Sequence, residues 1–306
     1  MTDKEIKKLL ECCTVCPRNC KTNRNKGELG FCRAGDKAEI YSAHLHSGEE
    51  PPISGRNGSG TIFFAHCNLR CAYCQNYKLS QISHGKDFEI DELSTLMLSL
   101  ESKKAHNINL VTPTHYAPQI ASAVGNARKS GLRIPIVYNT SGYEALKTLQ
   151  FLEGLVDIYL VDMRYGDNKH ASKYSACSDY VEINQAAVKE MYRQVGNLKT
   201  ARDGIGQKGV IVRHLVLPHN ISGTDAVLCF ISESLGADAY ISFMSQYYPA
   251  YNAPKYSELS RRINRREYDE AMSSLEKYGL GNGWIQEYMS GTADNDFAGT
   301  NIAPDV

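Results

Sequence analysis

Thr61-Ile-Phe-Phe-Ala65-His66-Cys67-Asn-Leu-Arg-Cys71-Ala-Tyr73-Cys74 is the stretch that decides how this chain is read. Its first five residues form an apolar run, the pattern of a buried strand. Three thiols follow with the spacing C-x3-C-x2-C, as in a loop at a strand end wrapped around a metal. No fourth cysteine lies at close range. A structural zinc site takes four protein ligands and is closed. An iron–sulfur cluster held through three thiolates instead keeps one iron open to an external ligand. A chance zinc loop, or three buried structural thiols, is the competing reading of the same residues.

The spacing, with the aromatic Tyr73 just before Cys74, resembles the signature of the radical S-adenosylmethionine (SAM) enzymes. The resemblance implies a [4Fe–4S] cluster on Cys67, Cys71 and Cys74 whose open iron chelates the amino and carboxylate groups of SAM. It also implies reductive cleavage of SAM to methionine and a 5′-deoxyadenosyl radical.

The bulk properties agree with an enzyme of this size. A chain of 306 residues holds one large α/β domain and a small appendage. Its 34 basic and 34 acidic residues balance, so there is no electrostatic footprint for nucleic acid or an anionic membrane. No run of eighteen apolar residues is present, and no membrane span is expected. The start, Met-Thr-Asp-Lys-Glu-Ile-Lys-Lys, lacks the apolar core of a signal peptide, so a cytoplasmic location is expected. Ten cysteines in that compartment mean metal or redox chemistry rather than disulfides.

Residues 1–11 read as a helix with Ile6, Leu9 and Leu10 on one side. A second group of cysteines follows. Cys13, Cys16, Cys20 and Cys32 are spaced C-x2-C-x3-C-x11-C, and Gly27 and Gly30 allow tight turns between them. Four thiolates suit a structural zinc or an auxiliary iron–sulfur cluster, and spacing does not choose between the two. Reduced, packed thiols without metal are the alternative, and Cys12 could stand in for Cys13. From 38 to 60, Ile40 and its neighbours suggest a small hairpin or edge strand. Pro51, Pro52 and three glycines then make a loop; His44, His46, Glu49 and Glu50 read by default as solvated loop residues, with a role near the active site as the alternative.

A narrower resemblance rests on several segments together. They are Cys13-x2-Cys16-Pro-Arg-x-Cys20, Gly48-Glu-Glu-Pro-Pro-Ile-Ser-Gly55, Gly58-Ser-Gly-Thr-Ile-Phe-Phe64 and Cys67-Asn-Leu-x-Cys71-x-Tyr-Cys74-Gln-Asn76. These look like the PflX family, whose members are similar to pyruvate formate-lyase activating enzyme. The resemblance runs from about residue 12 to at least 250 and is most specific in its front half.

Beyond the cysteine loop, helical spacing alternates with short apolar runs. Helices are expected at 91–104, 118–129, 143–152, 169–177, 184–195, 224–235 and 265–278. Strands are expected at 107–111, 132–138, 156–161, 209–217 and 239–244, in addition to the first. Six such units argue for a parallel sheet covered by helices. The fold class expected is α/β, a partial (β/α)6 TIM-like radical SAM barrel with a small Cys-rich N-terminal extension. A doubly wound open sheet is the alternative, although no Gly-x-Gly-x-x-Gly follows the first strand. The chain divides into a Cys-rich region over 1–58, a barrel over 59–280 and a tail over 281–306. The tail from Gly291 is small, polar and acidic and is expected to be mobile, or to act as a lid.

In either fold, polar residues just past strand ends face the site. These are His66, Thr112, Thr114, His115, Asn139, Thr140, Ser141, Asp162, Arg164, His214, Gln246 and Tyr247. The resemblance assigns several of them to SAM. Thr112-Pro-Thr114-His115 stands where a glycine-rich turn meets the SAM amino group, and Asn139-Thr140-Ser141 matches a polar turn. Asp162-Met-Arg164 resembles an Asp-x-Lys pair, with Arg164 against the methionine carboxylate, where a guanidinium binds bidentately. Gln246 replaces a histidine, and Tyr73 presents its backbone to adenine. His115, His214 and Tyr247 could hold substrate or move protons, with ordinary packing at the barrel mouth as the equal alternative. Cys177 and Cys229 read as buried structural thiols.

The implied activity is that of a radical SAM oxidoreductase abstracting hydrogen from a protein partner, as activases of glycyl-radical enzymes do. Radical modification of a small molecule or peptide is the second reading, and a non-catalytic iron–sulfur or zinc protein the third. The partners implied are a flavodoxin- or ferredoxin-type electron donor and a protein substrate. No nucleic acid and no membrane are expected, and the chain is expected to be a monomer.

Overall fold

The structure is a computed structural model that describes residues 2–82 and 85–288. The tail from Gly291 lies outside the described residues. The chain opens with α1 (Asp3–Glu11), where Thr2 and Glu5 close a capping box and Ile6 and Leu10 are buried. Next come β1 (Ala38–His46), α2 (Pro51–Ser54), β2 (Ser59–Phe64), β3 (Lys86–Phe88) and α3 (Ile90–Ser102). The alternation continues through β4 (Ile108–Val111), α4 (Ala117–Lys129), β5 (Ile136–Thr140), α5 (Leu146–Leu152) and β6 (Ile158–Asp162). It ends with α6 (Asn168–Ser175), α7 (Tyr180–Val195), β7 (Lys199–Thr200), β8 (Gly206–Leu215), α8 (Thr224–Leu235), β9 (Tyr240–Met244), α9 (Arg265–Lys277) and β10 (Gly283–Ile285).

The strands form one sheet in the order β10-β9-β8-β6-β5-β4-β2-β1-β3, with β7 beside β8. Every pair from β2 to β10 along that path is parallel. β1 and β3 add an antiparallel flank to β2. The sheet is open, with β3 and β10 at its edges, so the barrel is partial. β2, β4, β5 and β6 are buried along their whole length, which explains why they read as continuous apolar runs rather than alternating ones. One face packs Tyr138, Tyr159, Val161 and Phe243 against α7 and α8. Near the β1 flank, Ile62, Phe64 and Leu110 meet α3 and α4.

The structure departs from the sequence expectations in three places. The strand expected over 132–138 begins only at Ile136, because Pro135 cannot donate to a ladder, and it runs on through polar Asn139 and Thr140. The helix expected from 143 starts at Leu146, since Gly142 (φ +73°) turns the chain first. The segment expected to be a tail supplies β10, a seventh parallel strand, through Gly283–Ile285. Among the described residues, no helix is long and apolar enough to cross a membrane.

Candidate metal and cofactor site at the strand ends

Parallel strands end on the same side, and there the chain builds an open cavity. Cys67, Cys71 and Cys74 form one wall. Thr112 follows β4, Asn139 and Thr140 end β5 with Ser141 behind them, Asp162 ends β6 with Arg164 beyond it, and Gln246 follows β9. Tyr73 also lines the cavity. Thr112 holds φ +59°, a region a β-branched residue enters only when its surroundings fix it there.

The three thiols are held individually. Leu69 N–H donates to Cys67 Sγ (3.3 Å), Ser175 Oγ–H to Cys71 Sγ (3.0 Å), and Ser80 Oγ lies 3.2 Å from Cys74 Sγ. Burial pushes the Cys67 thiol up to about 12 and that of Cys74 to about 11, so a metal binding there displaces protons. Among the described residues, no three or more His, Cys, Asp or Glu side chains are grouped as ligands of a single ion. A cluster asks for something else, because each thiolate binds a different iron. Three soft donors on one wall of an open cavity fit a cluster that takes three protein ligands.

The same cavity is lined by a charge network. Asp162 Oδ2 pairs with Arg164 Nη2 (2.5 Å), and its Oδ1 with Arg213 Nε (2.7 Å). Arg213 Nη2 donates to Asn139 Oδ1 (2.6 Å), and its Nη1 stands 3.5 Å from Glu49 Oε2. Glu49 Oε1 accepts from Asn109 (3.0 Å) and Asn139 (3.3 Å). Burial lifts the Glu49 carboxyl to about 7, against the pull of Arg213. Arg164 Nε is buried and has no partner, so the guanidinium keeps a donor in reserve beside the cavity. Behind the network, Tyr180 Oη accepts from Arg164 N–H (3.1 Å) and reaches Ser141 O (2.8 Å). Gly142 is required there, since a Cβ would stand 2.0 Å from Asn184 Nδ2.

Five residues expected at this site lie elsewhere. His66 Nε2 pairs with Glu39 Oε2 (2.8 Å). Thr114 donates to Glu144 Oε1 (2.6 Å), beneath the end of β5. His115 Nε2–H donates to Ala65 O (2.8 Å). His214 points away because side chains alternate along a strand: Arg213 and Leu215 face the cavity, while His214 bonds Met163 O (2.7 Å) and Thr224 Oγ1 (3.0 Å). Tyr247 is buried and donates to Leu259 O (2.7 Å). Glu49, expected as a solvated loop residue, belongs to the network instead. Arg213 also escaped the sequence reading, although alternation along Val-Arg-His-Leu puts it on the same face as the cavity. Gln286, which donates to Gln246 Oε1 (2.8 Å), carries no sequence signal.

The N-terminal thiols gather at a different place. Cys13, Cys16, Cys20 and Cys32 line a second cavity, and Cys12 is exposed. Of the two other cysteines, Cys177 is buried and Cys229 is half-buried.

Residues 53–181 match the family model of a 4Fe-4S single cluster domain, a span that contains Cys67, Cys71 and Cys74 but none of the N-terminal group. Over 285 residues the chain is 31% identical to the uncharacterized protein MJ0674 of Methanocaldococcus jannaschii, covering 90% of this chain and 77% of that one. The chain belongs to the MJ0674 family. Among solved structures, this member of the MJ0674 family resembles a radical SAM methyltransferase from Sphaerobacter thermophilus. The TM-score is 0.52 at 11% identity, covering 76% of this chain and 67% of that one. It also resembles HydG, a maturase of the [FeFe]-hydrogenase, with a TM-score of 0.51 at 14% identity over 74% of this chain. The chain spans about half the length (50%) of HydG. At these identities the likeness is one of fold: the MJ0674-family chain shares the fold of these radical SAM enzymes, and within it residues 53–181 match the 4Fe-4S single cluster domain.

Proposed function

We propose that this chain is a radical SAM enzyme of the PflX type that takes a hydrogen atom from a C–H bond of a protein partner, as glycyl-radical-enzyme activases do. The carrying observation is one cavity lined both by Cys67, Cys71 and Cys74 and by the Asp162–Arg164 pair. Bound there together, a reduced [4Fe–4S] cluster and SAM supply a 5′-deoxyadenosyl radical. The residues of the chain bind, orient and exclude water.

Arg164, held by Asp162 and keeping its unpartnered Nε, is suited to a carboxylate such as that of methionine. Asp162 also restrains Arg213, so one carboxylate positions two guanidinium groups. Asn139 and Thr140 serve as shape rather than as donors, because Arg213, Glu49 and Glu144 already occupy their side chains. Ser141, Thr112 and Gln246 then meet the polar edges of SAM, and the backbone at Tyr73 meets adenine. An electron donor of the flavodoxin or ferredoxin type completes the system.

The test is anaerobic reduction of cluster-loaded protein with SAM, following 5′-deoxyadenosine, with candidate glycyl-radical enzymes added. The expected result is deoxyadenosine together with a stable partner radical seen by electron paramagnetic resonance. Loaded protein that makes no deoxyadenosine overturns the enzymatic reading. Deoxyadenosine stimulated by a metabolite, with no radical on any partner, replaces the protein substrate by a small molecule.

A further inference from the structure

Residues 12–37 contain one three-residue 3-10 turn, Arg24–Lys26, and no other helix or strand. Yet the segment is tightly wound. Asn19, Lys21 and Arg33 all hold positive φ (46°, 57° and 65°), which non-glycine residues keep only when surroundings over-determine them. Backbone bonds between Cys13 and Thr22 and between Lys21 and Cys13 (3.0 Å each) close the loop on itself. A loop of this kind needs a staple, and among the described residues all ten cysteines are free.

We propose that Cys13, Cys16, Cys20 and Cys32 hold a second metal centre, separate from the Cys67 site, in a small cavity that His115 also lines. The four thiols line one small space. Gly30 borders it, and a Cβ there would stand 2.9 Å from Cys20 Sγ and 3.3 Å from Thr22 Oγ1, so the glycine keeps the sulfur's place open. Phe31 N–H donates to Cys20 Sγ (3.3 Å), and buried Arg24 brings Nη1 to 4.0 Å from Cys13 Sγ, both suited to thiolates rather than thiols.

A second, independent observation comes from the barrel. His115 is 1% exposed and lines the same cavity. Its Nε2–H is spent on Ala65 O (2.8 Å), which fixes Nδ1 as a bare lone pair, and Nδ1 has no partner. Thr22 Oγ1, also on the cavity wall, has none either. Unsatisfied buried polar atoms are disfavoured, and two of them facing four thiols mark the place of a cation. A histidine with one nitrogen on a backbone carbonyl and the other toward sulfur-rich space has the second partner that metal-bound imidazoles have.

No three His, Cys, Asp or Glu side chains among the described residues converge on a single ion, which favours an iron–sulfur cluster, with each thiolate on a different iron, over tetrathiolate zinc; acid-labile sulfide separates the two. The experiment uses full-length Cys67→Ala/Cys71→Ala/Cys74→Ala protein made anaerobically, so it does not depend on the SAM reading. The expected result is one centre per chain, as iron with sulfide or as zinc without it. That content falls to background when Cys16→Ser/Cys32→Ser is added. As a second arm, Cys16→Ser/Cys32→Ser alone in the otherwise natural chain loses that same increment of metal and keeps the iron of the Cys67 site. His115→Gln is expected to shift the thiolate-to-metal charge-transfer band of the cobalt-loaded triple variant. Absence of stoichiometric iron or zinc from the triple variant, with no increment lost in the second arm, overturns the proposal. So does metal that survives Cys16→Ser/Cys32→Ser.

Discussion

The two cysteine groups occupy opposite kinds of ground. Cys67, Cys71 and Cys74 sit where seven parallel strands end, facing a cavity edged by hydroxyls, amides and two guanidinium groups. Cys13, Cys16, Cys20 and Cys32 sit off the sheet in a loop without strands, enclosed by Arg24, Thr22 and His115. Three thiol donors leave one iron of a cluster free for an exchangeable ligand; four donors leave none. The regular sheet therefore carries the site where exchange is needed, while the irregular loop carries the site that holds. Arg18 joins them, donating to Asn68 O (2.8 Å) in the open-site loop while its guanidinium stacks 3.8 Å over Phe31, next to Cys32.

The contrast can be broken most sharply at the open site. Cys71→Ala is expected to abolish deoxyadenosine formation, a loss of at least about a thousandfold, because a two-thiolate cluster is not retained. Product analysis of anaerobically loaded protein measures it. Next comes Asp162→Ala, which leaves Arg164 and Arg213 without their shared counter-ion. Removing one partner from a buried pair is expected to destabilise by about 3–5 kcal/mol, read from urea unfolding.

Glu144 tests the wall between the two sites. It is buried, accepts from Thr114 and Thr140, and its charge bears on Cys16. Burial raises its carboxyl to about 7. The folded state thus favours the protonated form: its contribution is complete below the unfolded carboxylate value and is lost as pH rises through about 7. Glu144→Gln is expected to remove that loss, worth about 3 kcal/mol, from the difference between variant and natural unfolding curves above pH 7.

Arg164→Ala is a smaller effect. SAM affinity should weaken about ten- to a hundredfold, the value of one charge-assisted contact, with iron content unchanged. Isothermal titration checks it. The smallest expected effect sharpens the four-thiol site: exposed Cys12→Ser should leave metal content unaltered, whereas Cys13→Ser should lower it.

Most of the sheet was legible because β2, β4, β5 and β6 are buried on both faces and therefore read as apolar runs. β10 was not, since its three residues are all exposed and only their pairing with β9 makes them a strand. In the site, thiol spacing singled out the cysteines, and strand ends singled out Asp162, Arg164 and Asn139. Glu49 was illegible because its partner is far along the chain, and nothing near Gly48 or Pro51 announces it. His214 was preferred to Arg213 on residue type, when strand alternation favours Arg213. His115 sits at a strand end by number, yet the 3-10 turn Thr114–Tyr116 carries it to the other cysteine group.

The Glu49–Arg213 contact has a consequence in time. Its partners are separated by 164 residues. At roughly 5–20 residues per second of synthesis, Glu49 leaves the ribosome about ten to thirty seconds before the guanidinium that neutralises it. During that interval burial acts on the Glu49 carboxyl without the opposing pull of Arg213, which favours its acid form. The cavity floor is therefore closed only when β8 pairs with β6 and brings Arg213 to Asp162 and Glu49, long after its first acidic member has been made.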